Sequence, residues 1–385
     1  VIDGATGHDV IPLVDLADVN AEYEEAYVHA LRRVLRSSDF GVDGVVVEFE
    51  EELADFVGVD HAIGVNSGTA ALQLLLTAAG IGPGDEVILP ANTFFATAEA
   101  VVAAGARPVL VDPDLETALV PPHAVGPAIG PRTAAVIAVH LYGQPVDVCG
   151  YRREVAGRGI EIFEDAAQAI GAHVGGASAG SLAKAAGFSF YPAKNLGALG
   201  QGGAVTTDDD DIARQVRLLR SHGEGERYRH VRMGFNERLH GLQAAFLQAK
   251  LPNVGRDLAR RERVVERYDR AVASIPGCDR IAVREHVRSA HHLYVVRVPE
   301  RDRVLASLRR DGVMAAVHYP VPIHLQAAWA EFASDAAFPN AERLARESIS
   351  LPLWPGMTDV QVDRCVDALT RAVVPYAADL DEVAS

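Results

Sequence analysis

Glu161-Ile-Phe-Glu-Asp165-Ala-Ala-Gln168 and Phe188-Ser189-Phe-Tyr191-Pro-Ala-Lys194-Asn-Leu-Gly197 are the two halves of the passage that decides the fold. A short apolar run ends on an acid in the first half and reaches a lysine in the second. A Gly-rich stretch separates them, and Gly200-Gln-Gly-Gly-Ala204 follows. Lysines are rarely buried, so a lysine between an apolar strand and a glycine-rich turn points to use rather than to a solvated surface. Burial lowers the pKa of an amine, which suits imine exchange and proton shuttling. An amine able to bind an aldehyde, paired with a carboxylate able to hold a protonated ring nitrogen, suits pyridoxal phosphate, with Lys194 as the Schiff-base residue and Asp165 as the pyridinium partner.

Outward from this passage the pattern is one of short apolar strands alternating with helices. Strands are expected at Ala62–Val65, Glu86–Leu89, Pro108–Val111, Ala134–Val139 and Ile160–Phe163, and helices at Thr69–Ala79, Phe95–Ala104 and Val148–Arg158. Such alternation implies an α/β fold with right-handed crossovers and a mainly parallel sheet covered on both faces. Ligands on such sheets sit beyond the carboxyl ends of the strands, where Asn66-Ser-Gly-Thr, Ala91-Asn-Thr-Phe, Asp112, His140-Leu-Tyr and Glu164-Asp fall. Two helical patterns, Asn20 to Leu35 and Val45 to Phe56, precede the alternation. The acidic run Asp208–Asp211 reads as a helix N-terminus favoured by the helix dipole.

A second, α+β module begins near Asn236: helices at Arg238–Lys250 and Asp257–Ser274, a strand at Leu293–Val298, a helix at Arg301–Arg310, a strand at Met314–Val317 and a last helix near Asp359–Val373. The expected division is an arm plus large domain over 1–235 and a smaller domain over 236–385. At 385 residues and 49% hydrophobic content the chain can fill two cores. A formal charge of −16 argues against nucleic-acid or anionic-membrane partners. No apolar run reaches the roughly 20 residues of a spanning helix, and residues 1–15 lack a signal-peptide pattern, so a cytoplasmic protein is expected. Cys149, Cys278 and Cys365 are scattered and read as buried free thiols.

Further candidates surround the central pair. Ser67-Gly68-Thr69 opens a helix directly after a strand, which makes it an anion seat. Phe94 offers an aromatic face to a pyridine ring. Gln168 stands one helical turn after Asp165 if a helix starts there, within reach of a ring substituent. In His318-Tyr-Pro-Val-Pro-Ile-His324, prolines stiffen a loop that carries polar rings at its edges, as a substrate-facing loop would. His222 and the pair His291-His292 lack metal-ligand spacing, and no metal is called for.

Taken in order, Ser67-Gly-Thr-Ala-Ala-Leu, Gly84-Asp-Glu-Val-Ile, Thr93-Phe-Phe-Ala-Thr-Ala, Glu164-Asp-Ala-Ala-Gln, Phe188-Ser-Phe-Tyr-Pro-Ala-Lys-Asn-Leu-Gly, Gly234-Phe-Asn-Glu-Arg-Leu and Leu351-Pro-Leu resemble the DegT/StrS sugar aminotransferases. These belong to the fold-type I pyridoxal phosphate enzymes related to aspartate aminotransferase, and the resemblance runs from Pro12 to Pro375. It implies that Lys194 is the catalytic, Schiff-base lysine and that Asp165 binds the ring nitrogen. It also implies that Gly68, Thr69 and Ser189 hold the phosphate, that Phe94 covers the ring and that Gln168 sits near its 3-hydroxyl. Asn236 would reach the phosphate in a neighbouring subunit, which implies a homodimer with shared active sites. Lysine at 194 separates the chain from related sugar dehydratases, which carry histidine there. Two positions depart from the pattern: Gln201 replaces an expected Asp, and Ile170 an expected His.

The same resemblance implies a reaction in two halves. L-glutamate gives its amino group, pyridoxamine phosphate forms as the intermediate cofactor state, and a nucleotide-linked keto-sugar then takes the group. Tyr-Pro-Ala-Lys-Asn-Leu-Gly-Ala-Leu-Gly and His-Tyr-Pro-Val-Pro-Ile-His-Leu-Gln are most similar to the subgroup that acts on dTDP-3-keto-6-deoxyhexoses, in deoxyamino-sugar and antibiotic biosynthesis, with Tyr191 and His318 in the sugar pocket. Amination at C4 of a dTDP-4-keto hexose or pentose, or of a cyclitol such as scyllo-inosose, is the alternative. A regulatory protein that binds the cofactor without turnover is the reading from another class.

Overall fold

The computed structural model describes residues 10–332 and 336–383. Residues 1–9, the start of the expected arm, and residues 384–385 lie outside that set, so the signal-peptide reading of 1–15 falls mostly there.

Seven strands form the central sheet: β1 His61–Val65, β2 Glu86–Pro90, β3 Arg107–Val111, β4 Thr133–Val139, β5 Glu161–Asp165, β6 Ala185–Ser189 and β7 Gly203–Thr207. Their spatial order is β1-β7-β6-β5-β4-β2-β3. Pairing is parallel from β6 through β3 and antiparallel on both sides of β7, so six strands run one way and β7 runs against them. Their near-continuous apolar sequences, Val87-Ile-Leu and Val136-Ile-Ala among them, follow from burial on both faces. The helix Gly68–Ala78 lies close against β6, and Gly187 allows it: a Cβ there would stand 2.8 Å from Leu72 Cδ2.

Three large hydrophobic cores and a small fourth one of Ala91, Phe338 and Ala341 form among the described residues. One fills the sheet and its crossover helices around Leu74, Val87, Val136 and Phe163. A second gathers Phe49, Leu53, Phe188, Phe190 and Leu247 under the N-terminal helices Glu24–Ser37 and Val45–Val57. The third holds the C-terminal module together around Tyr268, Val296, Leu308, Trp354 and Leu369. That module has a three-stranded antiparallel sheet, Asp279–Arg280, Tyr294–Arg297 and Ser348–Leu351. Ile11 is buried in the third core, and its N–H donates to Gly312 O (2.8 Å) while Met314 N–H donates to Ile11 O (2.9 Å). The arm therefore packs on the C-terminal module. Helix Val254–Val272 belongs to two cores at once: Val254 and Leu258 lie in the second, Val264, Val265, Tyr268 and Val272 in the third.

Several local expectations are corrected. The helix expected from Asn20 to Leu35 is two helices, Leu16–Ala21 and Glu24–Ser37. It breaks where Tyr23 turns inward and its hydroxyl donates to Asp257 Oδ2 at 2.6 Å. Met314–Val317 forms no strand; only single bridges, Ile11 to Val313 and Ala316 to Ser350, hold it. The helix from Val148 ends at Glu154, short of Gly157 and Gly159, both at positive φ. The helix expected from Arg238 starts at Gly241 because Arg238 bridges to Val65. Asp209 caps helix Asp210–Arg220 by accepting from the Asp211 and Ile212 amides, which is what the acidic run announced. Cys278 and Cys365 are buried free thiols, but Cys149 is exposed.

Candidate active site

The carboxyl ends of the parallel strands open into a cavity of about 540 Å³. Gly68, Thr69, Phe94, Asp165, Gln168, Ser189, Tyr191, Lys194 and His318 all line it. Residues spread over 250 positions of sequence thus converge, as expected of a sheet whose parallel strands deliver their carboxyl ends to one edge.

Asp165 ends β5 and is buried. Its Oδ2 accepts from the Thr97 hydroxyl at 2.7 Å, its Oδ1 from the Ala167 amide at 3.2 Å, and Thr93 Oγ1 lies 2.9 Å from Thr97 Oγ1. The carboxylate is thereby aimed while part of its acceptor capacity stays free. Gln168 is not on a helix; it sits in a turn, with Oε1 accepting from the Tyr142 amide (2.6 Å) and Nε2 donating to Tyr319 Oη (3.1 Å). Lys194 Nζ has no hydrogen-bond partner among the described residues. Burial pushes its ammonium down to about 8, and the nearby Asp165 carboxylate pulls in the opposite direction.

The seat at the start of helix Gly68–Ala78 is built as the sequence suggests. Ser67 Oγ accepts from the Ala70 amide at 3.1 Å, no acid stands in the first turn, and the Gly68 and Thr69 amides have no intrahelical acceptor. Ser189 closes the other side: a Cβ on Gly68 would lie 2.7 Å from Ser189 Cβ. Free amides, a hydroxyl, a held carboxylate and an unpartnered amine lining one cavity fit pyridoxal phosphate.

Phe94 is half-exposed, with its ring centroid 5.3 Å from that of Tyr319. Tyr191 is also half-exposed at the rim. His318 Nδ1 lies 2.8 Å from Ser350 Oγ, and desolvation, then Lys194, push the imidazole down to about 4. Asn236 stands apart: it is exposed, does not line the cavity, and accepts from Arg238 Nη2 at 2.8 Å. Asp112 is also elsewhere, accepting from the Asn340 and Ala341 amides at a helix start. Glu164 is consumed internally. Its oxygens take the Gly180, Leu182 and Ala183 amides (2.7, 2.8 and 2.8 Å) and His140 Nε2 (2.8 Å). Since His140 Nδ1 accepts from the Val146 amide at 3.2 Å, Nε2 carries the proton of that pair. Gln201, one of the two departures, lines the cavity; Ile170 does not, being buried in the second core.

Thr97, Tyr319 and His292 also belong to the site and were not singled out from sequence. Thr97 lies within the quoted Thr93-Phe-Phe-Ala-Thr-Ala stretch, and Tyr319 follows His318 in the rigid loop; His292 carried no signal beyond being polar before a strand. Among the described residues no group of three or more His, Cys, Asp or Glu could hold a metal ion, and no helix is long and apolar enough to cross a membrane.

A family model for the DegT/DnrJ/EryC1/StrS aminotransferases matches residues 21–370. The chain is 41% identical over 362 residues, covering 93% of its length and 96% of the relative's, to a dTDP-3-amino-3,4,6-trideoxy-alpha-D-glucose transaminase of Streptomyces venezuelae. It is 38% identical over 365 residues, 94% of its own length and 98% of the other's, to a pleiotropic regulatory protein of Geobacillus stearothermophilus. It also matches the crystal structure of S. venezuelae DesV in complex with a ketimine intermediate, with a TM-score of 0.92 and 39% identity over 96% of this chain and 98% of that one. With the cavity's residues in place and the match running nearly end to end, the chain belongs to the DegT/DnrJ/EryC1/StrS aminotransferase family.

Proposed function

We propose that the protein transfers an amino group from L-glutamate to C3 of a dTDP-linked 3-keto-6-deoxyhexose, with pyridoxal phosphate as cofactor. The observation that carries this reading is the unpartnered Lys194 amine in the same cavity as the Thr97-held Asp165. The dTDP-sugar transaminase relative supports the substrate class.

When bound, pyridoxal phosphate supplies an aldehyde for the amine and a ring that accepts electrons. The Gly68 and Thr69 amides and the Ser189 hydroxyl would hold its phosphate. Asp165, kept in line by Thr97, would pair with the ring nitrogen. Phe94 would cover one ring face, and Gln168, fixed between Tyr142 and Tyr319, would face a ring substituent. Lys194, with its pKa lowered to about 8, would be the amine that engages the aldehyde, and its free Nζ would take the donor's α-proton. In the second half it returns a proton to the sugar carbon that receives nitrogen. Tyr191 and His318 border the space left for the sugar. Asn236, exposed and away from the cavity of its own chain, reaches the cofactor phosphate of a second copy in a homodimer.

The test is a side-by-side assay of dTDP-3-keto- and dTDP-4-keto-6-deoxyhexoses with L-glutamate, following 2-oxoglutarate. Amination of the 3-keto sugar is expected. Turnover of the 4-keto sugar alone would overturn the regiochemistry, and absence of 2-oxoglutarate with either sugar would favour a regulator over an enzyme.

A further inference from the structure

The imidazole of His292 is buried, lines the cavity and has a fixed tautomer. Asn195, the residue next to Lys194, fixes that tautomer. Asn195 Nδ2 donates to the Ala290 carbonyl at 2.6 Å, and a carbonyl can only accept, so the amide orientation is settled. Asn195 Oδ1 is then the atom 3.2 Å from His292 Nδ1, and it too can only accept. His292 Nδ1 therefore carries the proton. His292 Nε2 bears the lone pair, and it has no hydrogen-bond partner among the described residues.

His318 differs on this point. Its Nδ1 faces the Ser350 hydroxyl, which can donate or accept, so its tautomer is open. Of these two histidines, His292 is the one that presents a committed, unused imidazole acceptor to the cavity that holds Lys194.

We infer that His292 is a positioning residue for the transamination proposed above: its Nε2 accepts a hydrogen bond from Lys194 Nζ while the lysine carries the proton taken from the amino donor. Breaking the donor's Cα–H bond leaves its electron pair with the cofactor-bound donor and turns the Lys194 amine into an ammonium. That charge forms on an amine already desolvated by burial, where a neutral acceptor stabilises it. A useful acceptor must not keep the proton. Desolvation, followed by the charges of Lys194 and Arg261 and by His318, holds His292 well below its ordinary range, so the proton stays on Lys194 for delivery. Asp165 acts in the opposite sense on Lys194, favouring its charged form. The inference rests on the proposed aminotransferase reaction.

The test compares His292→Asn and His292→Gln with wild type in the single-turnover glutamate half-reaction of the holoenzyme. Asn retains an amide near the Nδ1 position but has no atom at Nε2; Gln extends a neutral acceptor to about that reach. Cofactor content and thermal melting are measured for each variant. For His292→Asn we expect a rate lowered about tenfold or more, an unchanged Kd for glutamate and a larger isotope effect with α-deuterated glutamate, at full cofactor content. His292→Gln is expected to regain part of the rate. A His292→Asn protein with wild-type rate and isotope effect overturns the assignment. So does equal slowing of both variants with an unchanged isotope effect, or slowing that only mirrors lost cofactor or lower melting. If wild type itself fails to exchange with glutamate, the reaction proposed above fails instead.

Discussion

Thr97 is the residue on which the acid of the site depends, because its hydroxyl is the one side-chain donor to Asp165 among the described residues. Thr97→Val keeps the shape and removes the donor. A hydrogen bond to a charged group contributes about 1.5–3 kcal/mol, so cofactor affinity is expected to fall on the order of 10- to 100-fold, read by titrating apo-protein with pyridoxal phosphate. Lys194 supplies a pH test. Its amine fraction grows as pH rises through its folded pKa of about 8. Cofactor capture by apo-protein should climb about tenfold per pH unit below that point and level off above it, whereas an ordinary lysine would keep climbing past pH 10. A rate still rising steeply at pH 10 would rule out the buried, perturbed amine. Asp165, Lys194, Phe94 and Gln168 were legible in the sequence because each sits in a short stretch whose composition is odd for a surface. Thr97, Tyr319 and His292 were not, since threonine in a helix or histidine before a strand is ordinary, and only tertiary packing decides which partner it meets.

At the scale of elements, the phosphate seat depends on how closely helix Gly68–Ala78 approaches β6. Gly68→Ala puts a methyl against Ser189 Cβ, so the helix start must shift or the serine must move. The expected result is about tenfold weaker cofactor binding, a loss on the scale of one impaired hydrogen bond to a charged group, with far-UV circular dichroism unchanged. Behind the seat, Arg220 and Glu50 form a buried ion pair that ties helix Val45–Val57 to helix Asp210–Arg220. Arg220 Nη1 also donates to Gly64 O at 2.8 Å, and Glu50 Oε1 accepts from the Gly64 amide at 2.7 Å. Arg220→Met strands the Glu50 carboxylate and should cost about 3–5 kcal/mol in urea unfolding. The strand–helix alternation was readable from the apolar runs. The antiparallel strand β7 was not, because Gly-Ala-Val-Thr-Thr reads equally well as a turn until β1 and β6 are found on either side of it.

On the whole-molecule scale, the chain is held together by elements that belong to more than one core. Ile11 shows this at one end, packed at 1% exposure into a module more than 250 residues away. Ile11→Ala should cost about 2–5 kcal/mol, as for other large-to-alanine changes in cores, and should lower a single melting transition rather than split it in two, as calorimetry would show. This pairing was not legible beforehand, since the lone Ile11-Pro-Leu segment carries no periodicity. Helix Val254–Val272 does the same job at greater length. At 1.5 Å per residue its 19 residues make a rod of roughly 28 Å. Such a rod is a lever: a tilt of about 5° at the end seated in the second core swings the other end by roughly 2–3 Å over that length. His318 and Ser350 lie on the C-terminal side of that lever and Lys194 on the other, so a tilt of this one helix would change the width of the cavity between them.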